Sequence, residues 1–293
     1  MISPLRYGLP VPVPEFNDAA LLLVAHGSTQ NDDSSRAALV QATRLREQGA
    51  FARVEVGFWK QEPAVASVLA QLPQRRVFIV PLMISDGYFA GEVIPRALGF
   101  EAAPDGDGLR RRTVGLQTQC YCPPVGTHPH MADLLLRQAE EVVARHPFPR
   151  RPQPGETTLF IAGHGTGRSA KSREAVELQA GRIRERGAYA AVQAVYLEEA
   201  PRIADVYRLA QERHVVVVPF FISDGLHVAE DLPVLLGEPE ALVRERLQRG
   251  QATWRNPTER HGRRVWLARG LGEDGLVSEV VLERAREAAA GLA

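Results

Sequence analysis

Lysine is almost missing from this chain. Of 35 basic residues in 293, only Lys60 and Lys171 are lysine, and 35 acidic residues bring the net charge to zero. That even balance excludes the strongly basic footprint of a nucleic-acid binder and gives no reason to expect an anionic membrane surface as partner. Arginine abundance is what a GC-rich genome yields, so function is not read from it. Cysteine is equally scarce: Cys120 and Cys122 are the only two, one residue apart. That spacing is no disulfide framework and fits a reducing cytoplasm. No apolar run approaches the roughly 20 residues that span a bilayer. The opening MISPLRYGLPVPVPEF is proline-rich, lacks the apolar centre of a signal peptide, and reads as an extended arm. Phosphate-cradling loops of the GxxxxGK[ST] or strand-linked GxGxxG type are absent too, so no nucleotide cofactor is expected. What is present is 45% hydrophobic and 24% charged, the balance of a soluble globular protein with enough apolar material for one large domain or two ordinary ones.

The chain repeats itself at an offset of 138 residues. LLVAHGS at 22–28 matches FIAGHGT at 160–166, and VFIVPLMISDGYFAGEVIP at 77–95 matches VVVVPFFISDGLHVAEDLP at 215–233, with nine of those 19 positions identical. An ungapped register held this long points to duplication. Each half alternates apolar runs suited to buried strands with stretches of helical composition. In the first half strands are expected at 21–25, 53–58, 76–82 and 111–117, and helices at 33–48, 62–71, 90–98 and 129–145. In the second, strands are expected near 157–163, 191–197, 214–221 and 263–269. After residue 237 the register slips, and the second half carries about 14 extra residues. Alternating strands and helices imply an α/β fold with parallel sheets and right-handed crossovers. The expected organisation is an arm (1–19), an N-terminal lobe (20–146), a proline-rich linker (147–156) and a C-terminal lobe (157–293).

Ligands of such sheets bind beyond the carboxyl ends of the strands. In the second half, His164, Glu198 and His227 follow three successive strands. Two imidazoles and a carboxylate suit a borderline divalent ion such as Fe²⁺, Co²⁺, Ni²⁺ or Zn²⁺, and three protein ligands leave coordination positions open. Each residue alone has an ordinary alternative: a hydrogen-bonded histidine, or a carboxylate favoured by a helix dipole. Three at equivalent strand ends favour a site. Cys120-Tyr-Cys122, followed by His128 and His130, leaves open a second metal site or an iron–sulfur site shared between two chains. A histidine phosphatase is excluded, because Ala25 and Gly163 stand where an arginine should precede the histidine.

The strand-His-Gly-Ser/Thr start, the Leu-Glu…Pro segment at 197–201, the Pro-Phe-Phe-Ile-x-x-Gly-x-His…Asp-x-Pro segment at 219–233 and Pro-Pro-Val-Gly-Thr-His-Pro at 123–129 resemble the CbiX family. That family comprises sirohydrochlorin cobaltochelatases and ferrochelatases, within the class II tetrapyrrole chelatases. The resemblance covers roughly residues 20–145 and 157–290. It implies two tandem chelatase-like lobes, each a parallel sheet flanked by helices, and it places His164, Glu198 and His227 on the metal and proton-handling positions. In the first half the matching positions hold His26, Lys60 and Phe89, so the N-terminal lobe is expected to be a lid and scaffold. The implied activity is insertion of Co²⁺ or Fe²⁺, the metal being a substrate, into sirohydrochlorin or a related macrocycle. The alternative is a non-catalytic carrier using the same cleft. Lys60, Arg168 and Lys171 are the cations expected to hold the macrocycle's carboxylates. The partner is thus a tetrapyrrole, with no nucleic acid and no membrane.

Overall fold

Leu21, Leu22 and Leu23 are all fully buried, which requires a strand covered on both faces. They belong to β1 (Phe16–Ala25), and the residues around them fold as a repeated α/β unit. The computed structural model describes residues 15–28, 33–101, 104–106, 108–165, 170–223 and 225–291. The first half continues with α1 (Asp33–Gln48), β2 (Phe51–Phe58), α2 (Val65–Ala70), β3 (Arg76–Pro81), α3 (Ile94–Ala97), β4 (Arg110–Val114), β5 (Gln117–Tyr121) and α4 (Met131–Arg145). The second holds β6 (Thr157–Gly163), α5 (Ala170–Glu185), β7 (Ala191–Tyr196), α6 (Val206–Leu209), β8 (His214–Pro219), α7 (Leu232–Leu235), α8 (Glu240–Gln248), β9 (Thr258–Arg260), β10 (Arg263–Leu267) and α9 (Gly275–Ala290). The two five-stranded sheets have the same order, β2-β1-β3-β5-β4 and β7-β6-β8-β10-β9.

Four strands of each sheet run parallel, but β4 and β9 are antiparallel edges, so each sheet is mixed rather than wholly parallel. The single strand expected at 111–117 is in fact a hairpin. Val114 pairs with Gln117 across a two-residue turn whose first position, Gly115, has φ +60°. In the second half the turn is His261-Gly262, with φ +48° and +72°, the left-handed pair that matches strand twist. β1 begins at Phe16, inside the segment expected to be an arm. The helix expected to open at Pro63 begins at Val65 instead: the Pro63 carbonyl still accepts from Phe58 N at 2.9 Å, and Ala64 is extended. The helix expected at 90–98 starts as a widened π turn, Tyr88–Val93, before α3, and the second half repeats this with a π turn at His227–Asp231 before α7.

Alternate residues of the central strands face different cores. Leu21, Leu23 and Ala25 join a large cluster that contains residues from both halves, while Ala20, Leu22 and Val24 pack under α2 and α3. The shared cluster exists because the halves exchange helices. α4, expected to complete the first unit, packs on β8 and β10 of the second sheet, where the Trp266 indole N–H donates to the carbonyl of His146 at 2.9 Å. α9, from the end of the chain, packs on β3 and α1 of the first half. Its N-cap, Asp274, accepts from Leu276 N and from Gln138 Nε2 at 3.0 and 2.7 Å, and Gln41 of α1 donates to the carbonyls of Gly272 and Asp274. The buried Gln41, Gln138 and Asp274 are therefore satisfied only with both halves in place. Among the described residues no helix is long and apolar enough to cross a membrane.

Candidate functional site

Parallel order puts β7, β6 and β8 side by side, so their carboxyl ends are neighbours. His164 follows β6, Glu198 follows β7, and His227 opens the π turn after β8. The loop carrying Glu198 is tied to the end of β6, since Leu197 N and Glu198 N both donate to the carbonyl of His164 at 3.1 Å. Gly165 has φ +62°, and a Cβ there would stand 2.7 Å from Glu199 Cγ, so only glycine lets the chain turn this closely under the histidine. Gly27, with φ +70°, plays the same part after His26.

The three side chains converge. The rings of His164 and His227 lie edge to face with centroids 5.0 Å apart, and Glu198 Oε1 is 3.8 Å from His164 Nε2. Both imidazoles are oriented through Nδ1. His164 Nδ1 is 2.8 Å from the carbonyl of Gly165, which can only accept, so Nδ1 carries a proton and Nε2 is the nitrogen that a metal ligand would use. His227 Nδ1 lies 2.7 Å from Asp231 Oδ2, which leaves its Nε2 free in the same way. A carboxylate behind an imidazole also fixes the orientation of its ring. Asp231, which orients the His227 ring, was not singled out from the sequence, although its position four residues after a histidine at a helix start was a usable signal. All three candidate groups are partly exposed, as a transfer site requires. They are not in a ready-made ligand cage: among the described residues no three His, Cys, Asp or Glu groups already stand at metal-holding geometry.

Two cavities meet at His227. One, of about 330 Å³, is lined by His164, Glu198 and His227 with Glu230, Asp231 and Arg244. The other, of about 540 Å³, lies between the halves. His26 and Leu82 line it from the first half and Phe221, Leu226 and His227 from the second, and its walls are mostly apolar.

The matching positions of the first half are packed differently. His26 makes an edge-to-face contact with Phe89 at 4.8 Å, and Lys60 Nζ stands 5.4 Å from the centre of the Phe89 ring. Burial holds the His26 imidazole below its ordinary pKa; the Gly27 carbonyl works the other way, and the Lys60 charge lowers it further. Lys171 pairs with Glu174 at 3.1 Å and lies beside Gly87 of the first half. Arg168 lies outside the described residues. Cys120 and Cys122 are buried in and just after β5, and burial pushes the Cys122 thiol far up. His128 is buried as well, its ring against His130. The second metal or iron–sulfur site left open by the sequence is not assembled: a buried, protonated thiol inside the joint between halves is neither a thiolate ligand nor accessible to a second chain.

A family model described as CbiX matches residues 20–142 and again 158–288. A probable sirohydrochlorin cobaltochelatase of Halobacterium salinarum is 38% identical over 281 residues, covering 92% of each chain. Among solved structures, a multi-domain protein of Deinococcus radiodurans, described as similar to chelatases but with two additional novel domains, superposes with a TM-score of 0.72 at 31% identity over 91% of this chain. This chain covers 54% of that one, about half its length. SirB from Bacillus subtilis, solved with Fe³⁺, superposes with a TM-score of 0.65 over 93% of this chain and 96% of its own, a likeness of fold at 16% identity.

Proposed function

The chain belongs to the CbiX family of chelatases, and on that premise we propose that it inserts Co²⁺ or Fe²⁺ into sirohydrochlorin or a closely related macrocycle at His164, Glu198 and His227. The observation that carries this reading is the convergence of those three groups in one cavity, with the two imidazole rings 5.0 Å apart and the carboxylate 3.8 Å from His164. Two neutral imidazoles and one carboxylate favour a borderline divalent ion, and Ni²⁺ or Zn²⁺ would fit the same donors.

Metallation exchanges one divalent ion for two pyrrole N–H protons, with no change of oxidation state. The chain's tasks are to hold a partly dehydrated ion, receive protons and present the ion to the ring nitrogens. His164 and His227 offer Nε2 lone pairs, each fixed by a hydrogen bond at Nδ1. Glu198, exposed beside His164, can both ligate and accept a proton. The macrocycle is assigned to the apolar cavity between the halves, which His227 shares with the ligand cavity. Lys60, Lys171 and Arg168 are its proposed carboxylate partners, as charge-assisted hydrogen bonds are the stronger kind. Sirohydrochlorin, the more acidic macrocycle, suits those cations better than protoporphyrin.

The test is an absorbance assay of metal insertion over several metals and macrocycles. Turnover of sirohydrochlorin with Co²⁺ or Fe²⁺ is expected. Tight Co²⁺ binding with no metallation of any macrocycle would favour a carrier instead.

A further inference from the structure

The second half's extra residues build α8, which places Arg244 in the wall of the ligand cavity. Among the described residues the first half has no counterpart. Arg244 Nε donates to Glu230 Oε1 at 2.9 Å, and its Nη2 pairs with Glu240. The side-on edge of the guanidinium, formed by Nε and Nη2, is therefore already taken. Around the two imidazoles the cavity holds four carboxylates. Asp231 is engaged by His227, Glu230 and Glu240 by Arg244, and Glu198 faces His164.

A site that hands a metal on has to bind it and let it go, and affinity for a divalent ion rises with the number of carboxylates that reach it. Two imidazoles with three or four free carboxylates would trap the ion. We propose that Arg244 withholds Glu230 and Glu240 from the metal, and so keeps the His164–Glu198–His227 site weak enough to release its ion to the macrocycle. The inference rests on the chelatase reading. Arginine suits the task because it stays charged at every working pH, so the restraint does not titrate away. The pair is also half-solvated, with Glu230 at 21% side-chain exposure and Arg244 at 61%. It restrains the carboxylates without costing the fold much if it is removed.

The test is titration of the isolated chain with Co²⁺, without macrocycle. Arg244→Ala should raise Co²⁺ affinity by about tenfold or more, the scale expected when two carboxylates are released and a nearby positive charge is lost. Its kcat should fall while KM for the macrocycle stays near wild type, since release becomes limiting. Arg244→Lys should lie between wild type and Arg244→Ala. Glu230→Gln added to Arg244→Ala should return affinity part of the way, which a general loosening of the loop would not do. Arg244→Gln carries the same expectation if the alanine variant does not fold. Unchanged or weaker Co²⁺ binding in the neutral variants overturns the inference, as does a raised KM for the macrocycle with unaltered Co²⁺ affinity, which would make Arg244 a macrocycle anchor. Wild-type chain that binds Co²⁺ but metallates nothing counts against the chelatase reading. Unaltered affinity in Arg244→Ala, in a chain that does metallate, counts against this inference alone.

Discussion

His26 and His164 leave equivalent strands, and the backbone treats them alike. Each Nδ1 bonds to the carbonyl of the following glycine, at 3.0 and 2.8 Å. Each histidine carbonyl receives the loop after the neighbouring strand, from Lys60 N at 2.8 Å and from Glu198 N at 3.1 Å. Beyond that the halves part. In the second, carboxylate and imidazole face the cavity. In the first, an ammonium stands over a phenyl ring, a contact of about 0.5–2 kcal/mol, where the second half has its carboxylate and imidazole. The support for Asp231 is also missing there, as Val93 takes its place in the repeat. The two repeats share the strand-end geometry, which depends on glycine and main-chain hydrogen bonds, while the side chains placed on it differ.

The comparison is tested hardest by the two histidines. His164→Ala should lose metal insertion by at least about a hundredfold, the scale of removing a ligand from a three-ligand site. Its stability should barely move, because the side chain is 38% exposed. His26→Ala should cost no more than a few-fold. Equal losses in the two variants, measured as initial rates of metallation, would mean that the halves share the chemistry.

The converse experiment rebuilds the site. Lys60→Glu alone should leave one Co²⁺ per chain in a calorimetric titration, since Phe89 still fills the third position. Lys60→Glu with Phe89→His should add a second Co²⁺, because His26 is already in place. That new site should be about 10–100-fold weaker than the native one for want of an orienting carboxylate. The same factor sets the next prediction: Asp231→Ala should weaken Co²⁺ binding at the native site by about 10–100-fold. Binding equal to wild type would show that the His227–Asp231 hydrogen bond does not hold the ring for the metal.

Much of this arrangement was legible in the residues. The 138-residue offset, the buried central strands and the strand-end positions of His164, Glu198 and His227 all follow from apolar runs and their punctuation, which are local signals. The helix exchange is not local. α4 carries an apolar face, but nothing in that face says which of two similar sheets will cover it. Asp274, Gln138 and Gln41 settle the matter through contacts between residues far apart in the chain. The hairpin of β4 and β5 was hidden because Gly115-Leu116 interrupts a run that otherwise reads as one strand. Glycine followed by leucine is a weaker turn signal than His261-Gly262 in the second half. The π turns at Phe89 and His227 leave no mark in apolar periodicity, yet such widened turns recur at functional sites and here aim the third side chain.

The last test lies away from the metal site, in the joint between the halves. His128 ends the turn that carries the chain from the first sheet to α4, and it is 4% exposed. Its Nδ1 accepts from His130 N at 3.2 Å, so the proton sits on Nε2, which lies 3.5 Å from Glu287 Oε1 of α9. Burial, and after it the Arg284 charge, push the imidazole down to about 4; Glu287 and Glu283 oppose this, and His130 adds to it. Arg284 is itself buried and held by the carbonyl of Pro124 and the hydroxyl of Thr127, so it cannot move away from a second cation. The sign follows from proton counting. Below the ordinary value of 6.5 the unfolded chain protonates this histidine, while the folded chain resists until about 4. The folded state therefore loses stability as pH falls through that window, and the loss is complete below it. His128→Gln keeps a polar side chain without the titration. The difference in unfolding free energy between wild type and variant should shift by about 3 kcal/mol between pH 7 and pH 4. Carboxylates that titrate in the same range are common to both chains and cancel in that difference. Denaturant unfolding curves at stepped pH measure it directly. A difference that stays constant from pH 7 to pH 4 would mean that the joint between the halves tolerates the extra charge.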